Sequence, residues 1–208
     1  FCASTGLLDY ARSKGCANPV ALPNGIDLAR FGNIETDPAL HQHDPTAVYV
    51  GAFGEWFDHD LVLHLARARP ELTIRLIGPS SGLEKIYGSL GNVKVCGPIS
   101  PAEIPAHLAA ADVGLIPFNI WSFPALINQV NPLKLYEYFA AGLPVVSTSW
   151  QELERLKTPA FLAQSRTQFV TLLDEVLDAQ HDGSLEKNFV QTMDWHQTLS
   201  PLGDWLQS

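Results

Sequence analysis

A lysine and a glutamate lie three residues apart near the start of a predicted helix that is otherwise apolar, in the segment NPLKLYEYFAAGLPVVS (residues 131–147). Lys134 falls in the first turn, where the helix dipole disfavours a cation by roughly 0.3–1 kcal/mol. A lysine is expected at this position if an anion binds to the unpaired N–H groups of that turn. Glu137 lies on the same face one turn later, and a carboxylate can accept hydrogen bonds from the two hydroxyls of a ribose.

The two residues therefore predict a nucleotide site, in which Lys134 binds phosphate and Glu137 binds ribose. The alternative that spacing alone leaves open is an intrahelical ion pair, which would stabilise the helix by about 0.2–0.5 kcal/mol. The nucleotide interpretation requires that the ammonium lie at a crevice rather than in bulk solvent.

The hydrophobic pattern predicts the elements that would hold this pair. Apolar, β-rich runs alternate with segments of helical spacing, and the joints between them are short. This alternation favours an α/β fold with a Rossmann-like parallel sheet and helices on both faces. Ligands bind to such sheets at the carboxyl ends of the strands, beside helix N-termini. The predicted strands are PVALPNGI, TAVYVGAF, LTIRLIGP, NVKVCGPI, VGLIPF and LPVVSTS.

Capping residues mark the starts of the predicted helices. Asp58 is expected to cap the helix after TAVYVGAF, and Ser100 forms a capping-box pattern with Glu103. Asn131 is expected to cap the helix that carries the lysine and the glutamate, with a proline at its first position. A long, aromatic-rich joint, residues 119–130, precedes that helix. Joints of this length inside a compact domain are usually functional or mobile.

Composition argues against several classes of function. A formal net charge of −9 is unfavourable for an indiscriminate nucleic-acid binder. The three cysteines form no CxxC motif, so neither a disulfide framework nor a structural zinc site is indicated. His41 and His43 lie in a polar linker and are not expected to bind a metal. No run reaches the roughly 20 apolar residues that a membrane span needs, and we expect a cytoplasmic protein.

Several segments, in collinear order, resemble the GT-B glycosyltransferases, and in particular the group 1-like enzymes. NPLKLYEYFAAGLPVVS resembles their donor-binding segment, P-x-K-x-x-E-x-x-A-x-G-x-P-V-V, and LPNGIDLARF is similar to the turn where their C-terminal domain begins. The other matching segments are VYVGAFGEWFDHDLVLHLARARPELTIRLIGP, NVKVCGPISPAEIPAHLAAADVGLIPF and DWHQTLSPLGDWL.

The resemblance implies the C-terminal, donor-binding half of a two-domain enzyme. Residues 19–190 would form the nucleotide-sugar-binding domain. Residues 1–18 would be the tail of the N-terminal acceptor domain or an interdomain segment, and residues 191–208 would form a helix that packs back towards that missing domain. The donor substrate would be a nucleotide-diphosphate sugar. We expect no other cofactor and no metal, because Lys134 and the helix N–H groups can neutralise the diphosphate.

The resemblance also implies a set of site residues. Catalysis falls to Lys134 and Glu137, which also bind the donor together with Gly51, Gly54, Glu55, Trp56, Pro117, Phe118, Gln129 and Asn131.

Several of these roles have alternatives. The glycines form either a diphosphate-binding loop or a plain turn, and Trp56 and Phe57 either line the cleft or pack. Asp58 either binds the donor or only caps its helix, and Phe118 either packs against the base or belongs to the core. Trp121 and Phe123 would contact the sugar, cover the site or dock against the missing domain.

Two positions depart from the family pattern. Retaining members commonly carry a second glutamate eight residues before the position of Glu137, where this chain has Gln129. Many members also place an arginine and a lysine in the loop after the first strand of the domain, which here reads GAFGEWFDHD and has no such cation. The stereochemical outcome therefore stays open, and neutralisation of the leaving group falls mainly to Lys134.

The predicted function is transfer of a sugar from a nucleotide-diphosphate sugar to a polysaccharide or glycolipid. The sugar or lipid-linked acceptor would bind through the missing N-terminal domain, and the full-length protein would associate peripherally with the inner face of the membrane. The alternatives are a nucleotide-sugar 2-epimerase and an inactive nucleotide-sugar-binding module.

Overall fold

Six parallel strands form one sheet in the computed structural model, which describes residues 1–32, 34 and 44–207. All but the last strand were predicted from apolar, β-branched runs, and four of these five strands are buried on both faces, as such runs suit. The α/β, Rossmann-like prediction is confirmed. The strands are β1 (Thr46–Val50), β2 (Thr73–Ile77), β3 (Val93–Gly97), β4 (Val113–Ile116), β5 (Val145–Thr148) and β6 (Phe161–Ala163).

Helices connect the strands and cover the sheet. In chain order they are α1 (Thr5–Ser13), a 3₁₀ turn (Leu28–Phe31), α2 (His59–Ala68), α3 (Leu83–Tyr87), α4 (Ile104–Ala109), α5 (Pro124–Ile127), α6 (Leu133–Ala140), α7 (Gln151–Arg155), α8 (Arg166–Asp178), α9 (Ser184–Val190), α10 (Trp195–Thr198) and α11 (Ser200–Gln207). In the described part of the chain, no helix is long and apolar enough to cross a membrane.

The strand order β3-β2-β1-β4-β5-β6 places the topological switch point between β1 and β4. Right-handed crossovers put α2 and α3 on one face of the sheet, and α4 and α6 on the other. Arg75 of β2 reaches the second face, where it donates to the carbonyls of His107 and Ala110 at the end of α4, at 2.9 and 2.8 Å.

The loops that follow β1 and β4 are joined by backbone hydrogen bonds. The Asp58 N–H donates to the Pro117 carbonyl at 2.8 Å, and the Asn119 N–H donates to the Trp56 carbonyl at 2.7 Å. Phe57 and Phe118 form an antiparallel bridge between these two bonds. The two loops therefore form one unit at the carboxyl edge of the sheet.

The predicted strand PVALPNGI is wrong. This segment makes only isolated bridges, between Cys2 and Ala21 and between Ile26 and Asp194. Pro19 has no N–H to donate to a neighbouring strand, and Pro23 has none either. The strand β6 has only three residues and was not predicted from the sequence.

The capping predictions have mixed outcomes. Asp58 caps α2 as predicted, since its Oδ1 accepts from the Leu61 N–H at 2.9 Å. Glu103 accepts from the Ser100 N–H at 2.8 Å, which is one half of a capping box, but α4 begins only at Ile104. Asn131 does not cap α6, because Pro132 holds the N-cap position and makes no side-chain bond there.

Candidate functional site

Lys134 extends from the first turn of α6 to the switch point between β1 and β4. Its ammonium lies 5.0 Å from the ring centroid of Tyr49, at the end of β1, and 5.0 Å from that of Phe118, just after β4. A Cβ atom at Gly51 would be 3.3 Å from Nζ, so the backbone after β1 passes directly beside the ammonium. The side chain is partly buried, and the ammonium does not extend into bulk solvent.

The charge of Lys134 is poorly compensated. Among the residues that the structure describes, no carboxylate lies within 4.0 Å of the ammonium, so Lys134 and Glu137 form no direct ion pair. Burial lowers the pKa of Lys134 to about 8, and the charge of Glu137 opposes that shift. The two aromatic rings offset part of the desolvation, since cation–π contacts contribute about 0.5–2 kcal/mol. A desolvated cation of this kind gains stability when an anion binds beside it.

Gly51 and Gly54 allow close approaches in the loop after β1. Gly51 has a φ of +146°, which residues with a side chain rarely adopt, and its added Cβ would lie 3.2 Å from Lys134 Cε. At Gly54 a Cβ would lie 2.4 Å from the ring of Trp56. Gly51 thus makes room for the lysine, and Gly54 makes room for the tryptophan.

Glu137 lies in the second turn of α6 and is partly buried. Burial raises its pKa, while the positive charges of Arg30 and Lys134 lower it. Arg30 belongs to the 3₁₀ turn, and its guanidinium donates a hydrogen bond to the Pro101 carbonyl. Arg30 was not predicted as a site residue, although it lies within the matched segment LPNGIDLARF.

The next residues of the loop after β1 mainly contact other side chains of the protein. Phe57 is buried, and its ring centroid lies 4.7 Å from that of Tyr49. Asp58 is also buried, and it accepts two hydrogen bonds from Arg166, at 2.9 and 3.0 Å. For these two residues the structure favours packing and capping over donor binding. Trp56 is partly buried and Glu55 is exposed.

Phe118 belongs to the core. Its side chain is 4% exposed and stacks on Trp150 with a centroid separation of 5.3 Å. The structure therefore favours the packing interpretation over a base-stacking role, and the ring forms part of the floor beneath the ammonium. Pro117 precedes it and accepts the bond that joins the two loops.

Asn131 and Gln129 contact the first residues of the chain. The amide of Asn131 donates to the Ala3 carbonyl at 3.2 Å and accepts from the Tyr136 hydroxyl at 2.7 Å. A Cβ at Gly6 would lie 2.8 Å from Gln129 Cγ, so Gln129 packs against α1. In this structure both side chains hold the start of the chain in place, and the buried Asn131 amide is not presented to a ligand.

The joint between β4 and α6 contains the short helix α5, which the sequence analysis did not predict. Trp121 of this joint is 41% exposed and packs on the guanidinium of Arg166, 5.1 Å from the ring centroid. The same guanidinium binds Asp58, so Arg166 links the loops after β1, β4 and β6. No sequence signal singled out Arg166, because it lies 108 residues from Asp58.

Two cavities lie at opposite edges of the sheet. One, of about 370 Å³, adjoins the loop after β1 and is lined by residues that include Gly54, Glu55 and Asn119. The other, of about 440 Å³, lies at the amino ends of the strands, with Pro45 and Pro144 in its lining. Lys134 and Glu137 are not among the residues that line the first cavity. Ligands of parallel sheets bind at the carboxyl ends, so we place the candidate site at the first edge on the position of Lys134 and not on this cavity.

The structure describes residues 1–32, 34 and 44–207. No group of three or more histidine, cysteine, aspartate or glutamate side chains is arranged there to hold a metal ion. His41 and His43 lie outside these ranges. A metal-free site stays a prediction.

Known proteins resemble this chain in sequence and in fold. The family model described as "Glycosyl transferases group 1" matches residues 44–179, about two thirds of the chain. TuaH of Bacillus subtilis strain 168, named as a teichuronic acid biosynthesis glycosyltransferase, is 26% identical over 160 residues, which cover 71% of this chain and 39% of TuaH. The UDP-glucuronate:glycolipid 2-beta-glucuronosyltransferase of Xanthomonas campestris pv. campestris is 29% identical over 110 residues, which cover 53% of this chain and 26% of the enzyme.

Solved structures match the fold over its whole length. HepE of Anabaena, crystallised in complex with UDP and glucose, superposes on 100% of this chain with a TM-score of 0.79, at 14% sequence identity. The match covers 62% of HepE. The GT-B fold expected from the sequence is confirmed, and the chain spans less than half of the length of the curated relatives it matches.

Proposed function

The chain belongs to the family of group 1 glycosyl transferases, and from that premise we propose that it binds a nucleotide-diphosphate sugar through Lys134 and Glu137. In this proposal the diphosphate binds Lys134 and the first-turn N–H groups of α6, and the ribose binds Glu137. The proposal includes the remaining predicted donor contacts near Gly51, Gly54, Glu55 and Trp56.

The observation that carries the proposal is the position of the Lys134 ammonium. It lies at the switch point of the sheet, on two aromatic rings and against a glycine, with its pKa lowered to about 8 by burial. A lysine kept there with no carboxylate partner among the described residues costs folding free energy, and a bound diphosphate would offset that cost. A lysine that served only to stabilise the helix would be exposed to solvent and would not lie against two aromatic rings and a glycine.

The same position suits the chemistry of glycosyl transfer. When the bond between the anomeric carbon and the diphosphate breaks, the sugar acquires oxocarbenium character and negative charge accumulates on the leaving group. A fixed ammonium and oriented N–H groups stabilise that charge without reorganisation during the reaction. Lys134 therefore acts as an electrostatic catalyst. Glu137 binds the ribose, which keeps the diphosphate beside Lys134.

The relatives suggest the substrates of the whole protein. HepE is described with UDP and glucose, and the Xanthomonas enzyme is named for UDP-glucuronate and a glycolipid. We therefore favour a uridine nucleotide as donor, and a polysaccharide or glycolipid as acceptor. The acceptor would bind to a part of the protein outside this chain, and we propose a cytoplasmic enzyme that works at the inner face of the membrane.

The domain division predicted from the sequence belongs to this proposal. Residues 19–190 would be the donor domain, and residues 1–18 and 191–208 would contact the acceptor domain. Exposed aromatic side chains occur in both terminal segments, with Phe1 and Trp205 in edge-to-face contact at 5.8 Å between centroids.

Calorimetry with UDP and uridine tests the site. Lys134→Met should weaken UDP binding roughly tenfold to a hundredfold, the range for a lost hydrogen bond to a charged group, and leave uridine binding nearly unchanged. Glu137→Gln should weaken both. Lys85→Met, on the exposed surface of α3, removes the same charge elsewhere and serves as control. Equal UDP affinity in the wild type and Lys134→Met would refute the phosphate assignment.

Product analysis separates the transferase from its two alternatives. A transferase forms a glycoside only when an acceptor is present, whereas an epimerase converts the nucleotide sugar without one. A form of the protein that includes the acceptor domain and binds donor without any turnover would be a binding module. An inactive binding module is a real alternative because this chain has Gln129 where retaining members commonly carry a second glutamate.

A further inference from the structure

The strands β1 and β4 separate before they reach the candidate site. Their last residues in register are Val48 and Gly114. Beyond this point β1 stays paired with β2 as far as Val50, and β4 stays paired with β5 as far as Ile116. A gap between two strands of one sheet therefore opens at the switch point, where the ammonium of Lys134 lies.

The hydroxyl of Tyr138 lies in this gap. The Gly51 N–H donates to the Ile77 carbonyl of β2 at 2.9 Å. Because successive N–H groups of a strand point to opposite neighbours, the preceding N–H, that of Val50, faces β4. It donates to the Tyr138 hydroxyl oxygen at 2.8 Å. A side chain of α6 thus accepts the hydrogen bond that a carbonyl of β4 would accept if the two strands stayed paired.

The strand β4 makes room for this side chain at Gly114. A Cβ atom there would lie 2.4 Å from Cδ2 of the Tyr138 ring, so a larger residue would push the ring out of the gap. Tyr138 is fully buried. A phenylalanine would fill the same space without taking a hydroxyl out of water, which is costly unless the hydroxyl forms a hydrogen bond. The bond to Val50 is therefore the feature that distinguishes tyrosine from phenylalanine at this position.

Lys134 and Tyr138 lie on the same face of α6, one turn apart, because they are separated by four residues. Tyr138 enters the gap, and the ammonium of Lys134 lies over the ends of the two strands, 5.0 Å from the ring centroids of Tyr49 and Phe118. The backbone that Tyr138 holds continues into Gly51, where an added Cβ would lie only 3.2 Å from Lys134 Cε. A shift of this backbone towards β4 would therefore displace the lysine.

We propose that Tyr138 is a positioning residue of the donor site, whose hydroxyl holds the end of β1 apart from β4 and so fixes the place of the Lys134 ammonium. This inference rests on the proposed function, in which Lys134 binds the diphosphate. If Tyr138 served only to fill the core and to satisfy one N–H group, removal of its hydroxyl would lower stability without a specific effect on Lys134.

NMR of the ligand-free protein tests the positioning. Tyr138→Phe removes only the hydroxyl, and the matched control Tyr87→Phe removes a buried hydroxyl of α3 that bonds to His59 Nδ1 at 2.8 Å. In Tyr138→Phe the Val50 amide should exchange with solvent about fivefold to tenfold faster, as for the loss of one hydrogen bond. The signals of the Lys134 Cε protons should also move, because ring currents depend on their distance from the two aromatic rings.

The control should leave both the Val50 amide and the Lys134 signals unchanged. An unchanged exchange rate of Val50 in Tyr138→Phe would show that the hydroxyl does not hold β1, and unchanged Lys134 signals would show that it does not position the lysine. Either result would overturn the proposal.

Calorimetry with UDP and uridine tests what the positioning contributes to binding. Tyr138→Phe should bind UDP about threefold to tenfold more weakly, which is part of the roughly tenfold to hundredfold loss expected when the ammonium itself is removed. It should bind uridine as the wild type does, and Tyr87→Phe should bind both ligands normally. In the background of Lys134→Met, Tyr138→Phe should not weaken UDP binding further, since two residues that act through one group are not additive.

Unchanged UDP affinity in Tyr138→Phe, or an equal loss with and without the Lys134 ammonium, would overturn the positioning role. If the wild type binds neither uridine nor UDP, the proposed function fails. The NMR signals of the ligand-free protein still decide in that case whether Tyr138 positions Lys134.

Discussion

The Lys134 ammonium lies 5.0 Å from the centroid of the Phe118 ring, and this ring stacks on Trp150 with a centroid separation of 5.3 Å. Both aromatic side chains are at most 4% exposed, so the cation rests on the closed core at the switch point of the sheet. A methyl group would suit this position better than an ammonium does. The function that we propose for Lys134 therefore opposes the stability of the fold, as is common at functional sites.

Lys134→Met should make the protein more stable at neutral pH. Because the pKa of Lys134 is about 8 in the folded protein and close to its ordinary value when unfolded, the unfolded chain binds this proton more tightly. At pH 7 the charged lysine thus destabilises the fold, and we expect Lys134→Met to gain about 1–3 kcal/mol in the free energy of unfolding. Urea denaturation at pH 7 measures this difference.

The pH dependence gives a second check on that assignment. The stability contributed by Lys134 rises with pH between about 8 and 10.5, since the unfolded chain then holds more protons than the folded one. The advantage of Lys134→Met should therefore shrink at pH 9.5, whereas Lys85→Met should show no such trend. A variant that is less stable than the wild type at pH 7 would contradict the burial of an uncompensated charge.

UDP binding should weaken as the pH rises above 8. Only the protonated lysine attracts the diphosphate, so the apparent UDP affinity should fall roughly tenfold per pH unit once the pH exceeds the Lys134 pKa of about 8. The measurement is the ratio of UDP to uridine affinity between pH 7 and 9.5, because any ionisation of the base affects both ligands. Lys134→Met should show a low, flat ratio. Parallel curves for the two proteins would show that another group controls phosphate binding.

Gly51→Ala should damage both the fold and the site. The φ of +146° at Gly51 is unfavourable for alanine, and the new Cβ would lie 3.2 Å from Lys134 Cε and 3.3 Å from its Nζ. We expect a loss of about 1–3 kcal/mol in unfolding free energy, together with weaker UDP binding as the lysine is displaced. Gly91→Ala is the matched control, since a Cβ there meets nothing within 4 Å. Retention of full stability and full UDP affinity in Gly51→Ala would contradict the close approach.

Local patterns were enough to predict most of the sheet and the pair on α6. The strands β1 to β4 are short, mainly apolar runs followed by Gly or Pro, and Asp58 caps α2 as its position suggests. The pattern of Lys134 and Glu137 on one helical face identified the edge of the sheet to examine. These features depend on neighbours within a few residues, which a sequence displays directly.

Features that depend on distant residues could not be predicted. The sequence predicts that Asn131 caps a helix. Its side-chain amide instead donates to the Ala3 carbonyl, 128 residues away, and accepts from the Tyr136 hydroxyl. Arg166, the first residue of α8, binds Asp58 in the loop after β1, although 108 residues separate them in the sequence. The loop after β1 therefore has no arginine or lysine of its own, but Arg166 brings a cation to the same edge of the sheet.

Breaking the Asp58–Arg166 pair should destabilise the carboxyl edge of the sheet. Asp58 is buried and accepts from the Leu61 N–H and twice from Arg166, whose side chain is 42% exposed. Arg166→Met leaves this carboxylate buried without its cation, and we expect a loss of about 1–3 kcal/mol in unfolding free energy, below the usual cost for a fully buried pair.

A double-mutant cycle separates the pair from its surroundings. Asp58→Asn keeps an acceptor for the Leu61 N–H but no longer needs the cation, so Arg166→Met should cost less in that background than in the wild type. Urea denaturation of the four proteins measures the coupling, and Arg67→Met on the exposed surface of α2 controls for the loss of a surface arginine. If the two substitutions have additive effects, the guanidinium does not stabilise Asp58, and its contact with Trp121 would be the remaining reason for its position.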